Sequence, residues 1–560
     1  MKVVLLFLTL VFALNAKDIT ENDIKKMIGR MLIVGFDGTK VTKNSQVVKD
    51  MKKYDLGGVI LFDKDYKNRK RVKNIKSPSQ LAKLTKELKS FSKKPLFISV
   101  DQEGGKVSRL NPSNGFKKIP SAFEVGKLSY KDTLKTYKTQ SKMLNKAGIN
   151  MNFAPVVDLA INPKNKVIVG LNRSFGKDPR KVVEYAKVVI DEQEKQHIIS
   201  VIKHFPGHGS SLGDSHEGFV DVSETWSPKE LKPYEGLIQE NKVDAIMTAH
   251  VFNKHIDAKY PATLSYNFNT RLLRNHLQFK GVIISDDMQM KAITDKYDLK
   301  TRVTLAINSG VNMLLFANQL DHVSVSELVD VILKQLKAGK IPISKIVESN
   351  MRIENLHTKA SIIQKPILFT QKRKDMTKEY IKKHYGLDVK DITIEPIAIV
   401  LHWTAVMSFK DSFKRLYPEK LLSDRKDIAK ASLLNVSAHY LVKRDGTIYQ
   451  LMPDNWMARH VIGINYSSIG IENVGGKNNK KEDLTSAQVE ADAKLVKYLR
   501  FKYSKIEYLI GHYEYEKMQK TGMWLEKDKN YRTKKADPGK KFMKAVREKV
   551  KILGLKSADE

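Results

Sequence analysis

Eight short apolar runs alternate with longer segments of helical period between about Met31 and Asn318, and no other feature restricts the fold as tightly. The runs read MLIVGF, GGVILF, PLFISVD, NMNFAPVVDL, IISVIKHF, AIMTAH, GVIISDD and MLLFA. Most are followed by a stretch able to form a helix, such as SPSQLAKLTKELKSF between the second and third. Eight β/α units of this kind predict an α/β fold, a (β/α)8 TIM-type barrel. Asp101, Asp158, His204, His250 and Asp286 all stand at or near the C-terminal end of a run, the catalytic face of such a barrel. Helix capping accounts for one or two polar residues there, not for five.

At 560 residues the chain exceeds what one compact core holds. Helical segments through SELVDVILKQLKAGK and SKIVESNMRIENLHTK close the first unit, residues 17–363. The stretch QKPILFTQKRKDMTKEY, charged and carrying Pro366, reads as a connection, placed at 364–375. Over 376–560, IAIVLHWTA, SAHYLVKRDGTIYQLMP and SIGIENVG read as a mixed sheet, with Arg444 to Thr447 as a hairpin turn. A helix through SAQVEADAKLVKYLRFKY and a strand, EYLIGH, complete a smaller α/β domain with a core of its own.

Residues 1–16 hold one basic residue, an apolar core from Val3 to Leu14 and a small residue at Ala16. That core is too short to span a bilayer, so the segment predicts a secretory signal and an exported, periplasmic or envelope-associated protein without stable membrane insertion. The absence of Cys excludes disulfides and thiolate metal ligands. The formal charge of +37 is mostly Lys spread along the chain, with no zinc-finger spacing or RNA-binding motif, so nucleic acid is not the expected partner. If the charge has a target, an anionic envelope polymer fits it better.

Between Lys203 and His216 the chain reads KHFPGHGSSLGDSH, with imidazoles, closely spaced glycines and an Asp-x-His pair in one loop. A second acidic cluster, SDDM, lies at Ser285 to Met288. An Asp on one barrel loop and an Asp-x-His pair on another can perform two-step glycoside hydrolysis. His216 then serves as acid and base, with Asp214 orienting the imidazole. The two adjacent Asp of SDDM do not by themselves say which one attacks. DQEGG at Asp101, NRSFG at Asn172, KHFPGHG at Lys203, DSH at Asp214 and SDDM at Ser285 occur in this order. Together they resemble the β-N-acetylglucosaminidases of glycoside hydrolase family 3, the NagZ type, over roughly residues 20–360. The resemblance implies Asp286 as nucleophile, Asp214 and His216 as the acid/base dyad, and no cofactor. It further implies Asp101, Arg109, Arg173, Lys203 and His204 as the groups that bind N-acetylglucosamine. Arg173 could instead brace a loop through an ion pair, and His208 reads as loop-stabilising. Gly207 and Gly209 read as turns close to the ligand.

In the second domain His402 and His512 each end an apolar strand, and Asp537 lies in the turn KADPG. Two imidazoles and a carboxylate leave one position of a tetrahedral zinc ion open, the pattern of a catalytic site. LHWTA, SAHYLVKRDGTIYQL, IGIENVG, IGH and KADPG together resemble the zinc-dependent N-acetylmuramoyl-L-alanine amidases of the type-2 family, shared with peptidoglycan-recognition proteins, over about 376–548. This implies Zn2+ held by His402, His512 and Asp537, Glu472 as general base and Lys535 as oxyanion stabiliser. His439 and His460 fit supporting roles. The segment between His512 and Asp537 is longer than the family leads one to expect, with a Lys-rich insertion around Glu526 to Lys535 that reads as a substrate-gripping loop or, in preference, as surface elaboration.

The chain is therefore expected to be a bifunctional hydrolase of peptidoglycan and muropeptides. Two alternatives stand beside it: a phosphorylase barrel using phosphate in place of water, and a peptidoglycan-binding protein with an inactive amidase domain.

Overall fold

The computed structural model describes residues 20–215 and 217–560, so the segment 1–16 read as a secretory signal and His216 lie outside the described residues. The chain forms two compact units that divide between Ala360 and Ser361.

In the first unit the eight apolar runs are eight parallel strands. They are β1 (Leu32–Gly35), β2 (Gly58–Ile60), β3 (Phe97–Val100), β4 (Met151–Asn152), β5 (Ile199–Phe205), β6 (Ala245–Thr248), β7 (Val282–Asp287) and β8 (Met313–Phe316). They close in the order β1-β8-β7-β6-β5-β4-β3-β2. Ile33 opposite Leu315 and Gly58 opposite Phe97 fix the register on either side of the seam. Parallel strands covered on both faces need continuous apolar sequence, which is why the runs do not alternate. Helices return the chain between strands, and their starts are written locally. Ser77, Ser129, Asp178, Asp298 and Ser324 each accept a backbone N–H of the first turn, and Pro78 and Pro179 occupy its opening positions.

The second unit has a six-stranded mixed sheet of β9 (Ile363–Gln364), β10 (Ala398–Trp403), β11 (Tyr440–Val442), β12 (Ile448–Gln450), β13 (Ser468–Asn473) and β14 (Tyr508–Gly511), in the order β9-β12-β11-β13-β10-β14. β11 and β12 are antiparallel around the Arg444 to Thr447 turn, where Gly446 takes a φ of +83°. The other neighbours are parallel, with His402 opposite Glu472.

The stretch 364–375 is not a free connection. Gln364 pairs with Gln450, Ile367 is buried, and Arg373 is fully buried at the start of helix Gln371–Tyr385. The high charge of that helix concealed a face that packs Tyr380 and Ile381 into the second unit's core.

Candidate active sites

At the C-terminal ends of β3, β4 and β5 the barrel gathers a line of alternating charges. Lys203 Nζ, on β5, lies 2.6 Å from Asp101 Oδ1 and 2.7 Å from Glu103 Oε1. Glu103 in turn accepts from Arg173 Nε and Nη2, both at 2.8 Å. Arg173 Nη2 meets His204 Nε2 at 3.1 Å, and His204 Nδ1 meets Asp158 Oδ2 at 2.6 Å. Guanidinium only donates, so His204 Nε2 must accept and the ring proton sits on Nδ1, shared with Asp158. Arg109 Nη2 stands farther off, 3.9 Å from Asp101, with its guanidinium over the Phe62 ring.

Burial sets the electrostatics. It acts to neutralise Lys203, but Asp101 and Glu103 hold its ammonium above the ordinary lysine range. Burial likewise acts to raise Glu103 and Asp158. Arg173 and Lys203 outweigh it for the first, His204 and His208 for the second, and both stay below the usual carboxylate range. The five proposed sugar-binding residues thus lie together, and Arg173 does brace its loop through an ion pair. Glu103, inside the DQEGG motif, is the partner the sequence reading passed over.

The two acids of SDDM separate by environment. Asp287 is buried and its Oδ1 accepts backbone N–H groups from Gln289 and Ala317, at 3.2 and 3.1 Å, tying β7 to the end of β8. Asp286 is half-buried, its Oδ1 accepting the Asp287 N–H at 2.8 Å. Asp287 is tied into the strand ends, and Asp286 is the more exposed of the two. His250 steadies the same strand end, with Nε2 donating to the Asp287 carbonyl at 2.9 Å.

Asp214 is half-buried in the loop after β5, and the next residue is anchored just past the end of β7: the Ala292 N–H donates to the Ser215 carbonyl at 3.2 Å. His208 has a local role, its Nδ1 2.6 Å from Ser211 Oγ, and burial lowers it to about 4. The glycines of this loop make room for protein. A Cβ on Gly207 would fall 2.6 Å from Glu230 Cβ, and one on Gly209 only 1.8 Å from the Leu159 carbonyl oxygen. Glu230 is fully buried and accepts the Gly209 N–H at 2.8 Å, and burial raises its carboxyl to about 7.

In the second unit β10 and β14, neighbours in the sheet, deliver His402 and His512 side by side, and the KADPG turn brings Asp537 to them. His402 Nδ1 and His512 Nδ1 are 2.9 Å apart, and Asp537 Oδ2 is 3.3 and 2.9 Å from them. Three buried donor atoms that converge in this way fit one metal ion. Burial lowers His512 to about 3, so its ring is the neutral, metal-binding form, while the two imidazoles hold Asp537 ionised against its own burial. Behind them His402 Nε2 meets His460 Nδ1 at 3.0 Å, and His460 Nε2 reaches Ser468. That outer contact fixes the His402 ring and leaves its Nδ1 for the metal. His439 uses both ring nitrogens on backbone, Gly470 N–H and the Trp456 carbonyl.

Glu472, opposite His402 on β13, has an Oε2 that is enclosed without a hydrogen-bond partner, and burial raises its carboxyl to about 7. Lys535 faces Asp537, Asp427 and Glu472, and burial lowers its ammonium below the ordinary range.

The stretch from Glu526 is not surface elaboration. Glu526 is buried against His384 Nδ1 at 3.0 Å, and Tyr531 is buried and accepts from Arg459 at 2.9 Å. Its many lysines masked the two residues that pack inward.

Comparison with known proteins matches the two units separately. The model of the glycosyl hydrolase family 3 N-terminal domain matches residues 23–356, and that of N-acetylmuramoyl-L-alanine amidase matches residues 393–540. The chain is 36% identical over 271 residues to a β-hexosaminidase of Tolumonas auensis, covering 47% of this chain and 76% of that protein. It is 31% identical over 335 residues to β-hexosaminidase A of Pseudoalteromonas piscicida, covering 55% of this chain and only 54% of that protein. A solved β-N-acetylhexosaminidase from Beutenbergia cavernae shares the fold, with a TM-score of 0.53 and 24% identity, over 60% of this chain and 98% of that one.

Proposed function

This chain belongs to glycosyl hydrolase family 3 and continues into an N-acetylmuramoyl-L-alanine amidase domain, and from that premise we infer that it is a bifunctional, exported enzyme of peptidoglycan breakdown. In the barrel the substrate is a terminal β-N-acetylglucosamine of a muropeptide or glycan strand. Asp101, Arg109, Arg173, Lys203 and His204 hold the sugar. The Asp286 carboxylate attacks the anomeric carbon while His216, oriented by Asp214, protonates the departing oxygen. His216 then takes the proton of the water that releases the sugar, so configuration is retained.

In the second domain the bond cut joins the lactyl group of N-acetylmuramic acid to L-alanine. His402, His512 and Asp537 suit a zinc ion, which when bound supplies Lewis acidity to water and to the amide carbonyl. Glu472 takes the proton of the attacking water on Oε2 and returns it to the leaving nitrogen. Lys535 sets its positive charge against the oxyanion.

The observation that carries this reading is the convergence of His402 Nδ1, His512 Nδ1 and Asp537 Oδ2 beside the unpartnered Glu472 Oε2, in a chain whose other unit is a glycoside hydrolase barrel. An inactive binding module has no need of an enclosed, unpaired acid. The test is digestion of defined muropeptides by wild type, Asp286→Ala and His402→Ala, with products identified by mass. Each variant should lose one cut and keep the other. Loss of both cuts in either variant would defeat the two-site reading.

A further inference from the structure

Beside His512 the second unit holds a small cavity of about 40 Å³ whose lining includes three cationic side chains, Arg425, Arg459 and Lys535, and no acidic one among the described residues. Arg459 is 3% exposed and has no carboxylate partner. Its Nη1 donates to the Ser432 carbonyl at 3.0 Å and to that of Leu434. Its Nη2 donates to the Ile428 carbonyl at 3.0 Å and to Tyr531 Oη at 2.9 Å, and its Nε is buried with no partner. Thr533 Oγ1, on the same wall, is also buried without a partner. Arg425 pairs with Asp427 from the rim, at 3.1 Å, and keeps part of its guanidinium exposed.

A buried guanidinium whose partners are all neutral, three carbonyl groups and the Tyr531 phenol, is costly until an anion arrives. We propose that this cavity is a subsite for a free carboxylate on the peptide side of the amide, recognised by Arg425, Arg459 and Thr533. The inference rests on the amidase reading. Around that bond the acyl side is an N-acetylated sugar without charge. The amine side is a peptide whose residue after L-alanine is a glutamate, with its α-carboxylate free or amidated. A carboxylate accepts from several donors at once, whereas the carboxamide loses the charge and turns its N–H donors toward guanidinium groups that can only donate. The cavity therefore separates the acid from the amide.

The experiment uses the full chain loaded with zinc and two substrates, muramoyl-L-alanyl-isoglutamate and its α-carboxamide. Wild type should favour the acid by about ten- to hundredfold in kcat/KM, the worth of hydrogen bonds to a charged group. Arg425→Gln and Thr533→Val should each shrink that ratio through KM, and Arg425→Lys should keep most of it. Calorimetry of the two released dipeptides against the zinc-free chain should show the acid binding more tightly. Equal cleavage and equal binding of acid and amide would overturn the subsite and leave the amidase reading standing. Cleavage of neither by wild type would remove the amidase reading, and the subsite with it.

Discussion

At the ends of β3, β4 and β5 the fully buried charged groups are matched: Lys203 lies between Asp101 and Glu103, Arg173 forks onto Glu103, and Asp158 accepts the hydrogen bond of His204 Nδ1. In the second unit, by contrast, Glu472 Oε2, Arg459 Nε and Thr533 Oγ1 are enclosed and unmatched, and three metal-type donors crowd within 3.3 Å of one another. The first site is assembled before substrate arrives. The second is completed by what it binds. The difference teaches where each is vulnerable, because a paired site fails when one partner is cut out, and an unpaired one when its ligand is withheld.

The widest gap should come from Asp286→Ala, which should lower release of N-acetylglucosamine by about 10⁴-fold or more, as losses of a nucleophile do, and leave amide cleavage within about twofold. Steady-state rates on a muropeptide carrying both bonds measure it, and an equal fall in both would break the comparison. Withholding metal comes next. A chelator should reduce amide cleavage on the order of a thousandfold without touching the sugar reaction, with zinc restoring it. A chelator-sensitive glycosidase would contradict the self-sufficiency of the barrel site.

Glu103→Gln should act at an intermediate level, since it leaves Arg173 without its acid and Lys203 with Asp101 alone. We expect a loss of about 3 kcal/mol in barrel stability and a rise in KM, measured by denaturant unfolding and kinetics. The smallest effect sharpens the comparison through pH. Glu230 is raised by burial to about 7 from an ordinary value of 4.5, so its neutral form is the one the fold prefers. Its contribution is complete below pH 4.5 and declines as pH rises through about 7, by on the order of 2–3 kcal/mol. Glu230→Gln should lack that slope, so the difference between the wild-type and variant unfolding free energies should change by that amount across the window. Parallel curves across this window would show that Glu230 does not titrate there.

Much of this was legible in the sequence, for identifiable reasons. Strands covered on both faces must be apolar throughout, so all eight barrel strands appear as runs, and residues just past them mark the catalytic face. The pairings were less legible because they join residues far apart in the chain. Nothing near Arg173 points to Glu103, 70 positions earlier. Asp286 and Asp287 share a motif and differ only in the backbone groups that the fold presents to them. The Lys-rich composition of 364–375 and 526–535 suggested solvent, yet Ile367, Arg373, Glu526 and Tyr531 are inside. Average composition describes the face turned outward, and a few residues decide the packing.

For anyone who would shorten this enzyme, the stretch from Glu526 to Tyr531 is the instructive case. Judged by its lysines it is an ornament to trim, but Tyr531 braces the arginine behind the peptide-side cavity and Glu526 pins His384 beneath it. Deleting it would take down a strut rather than trim a fringe.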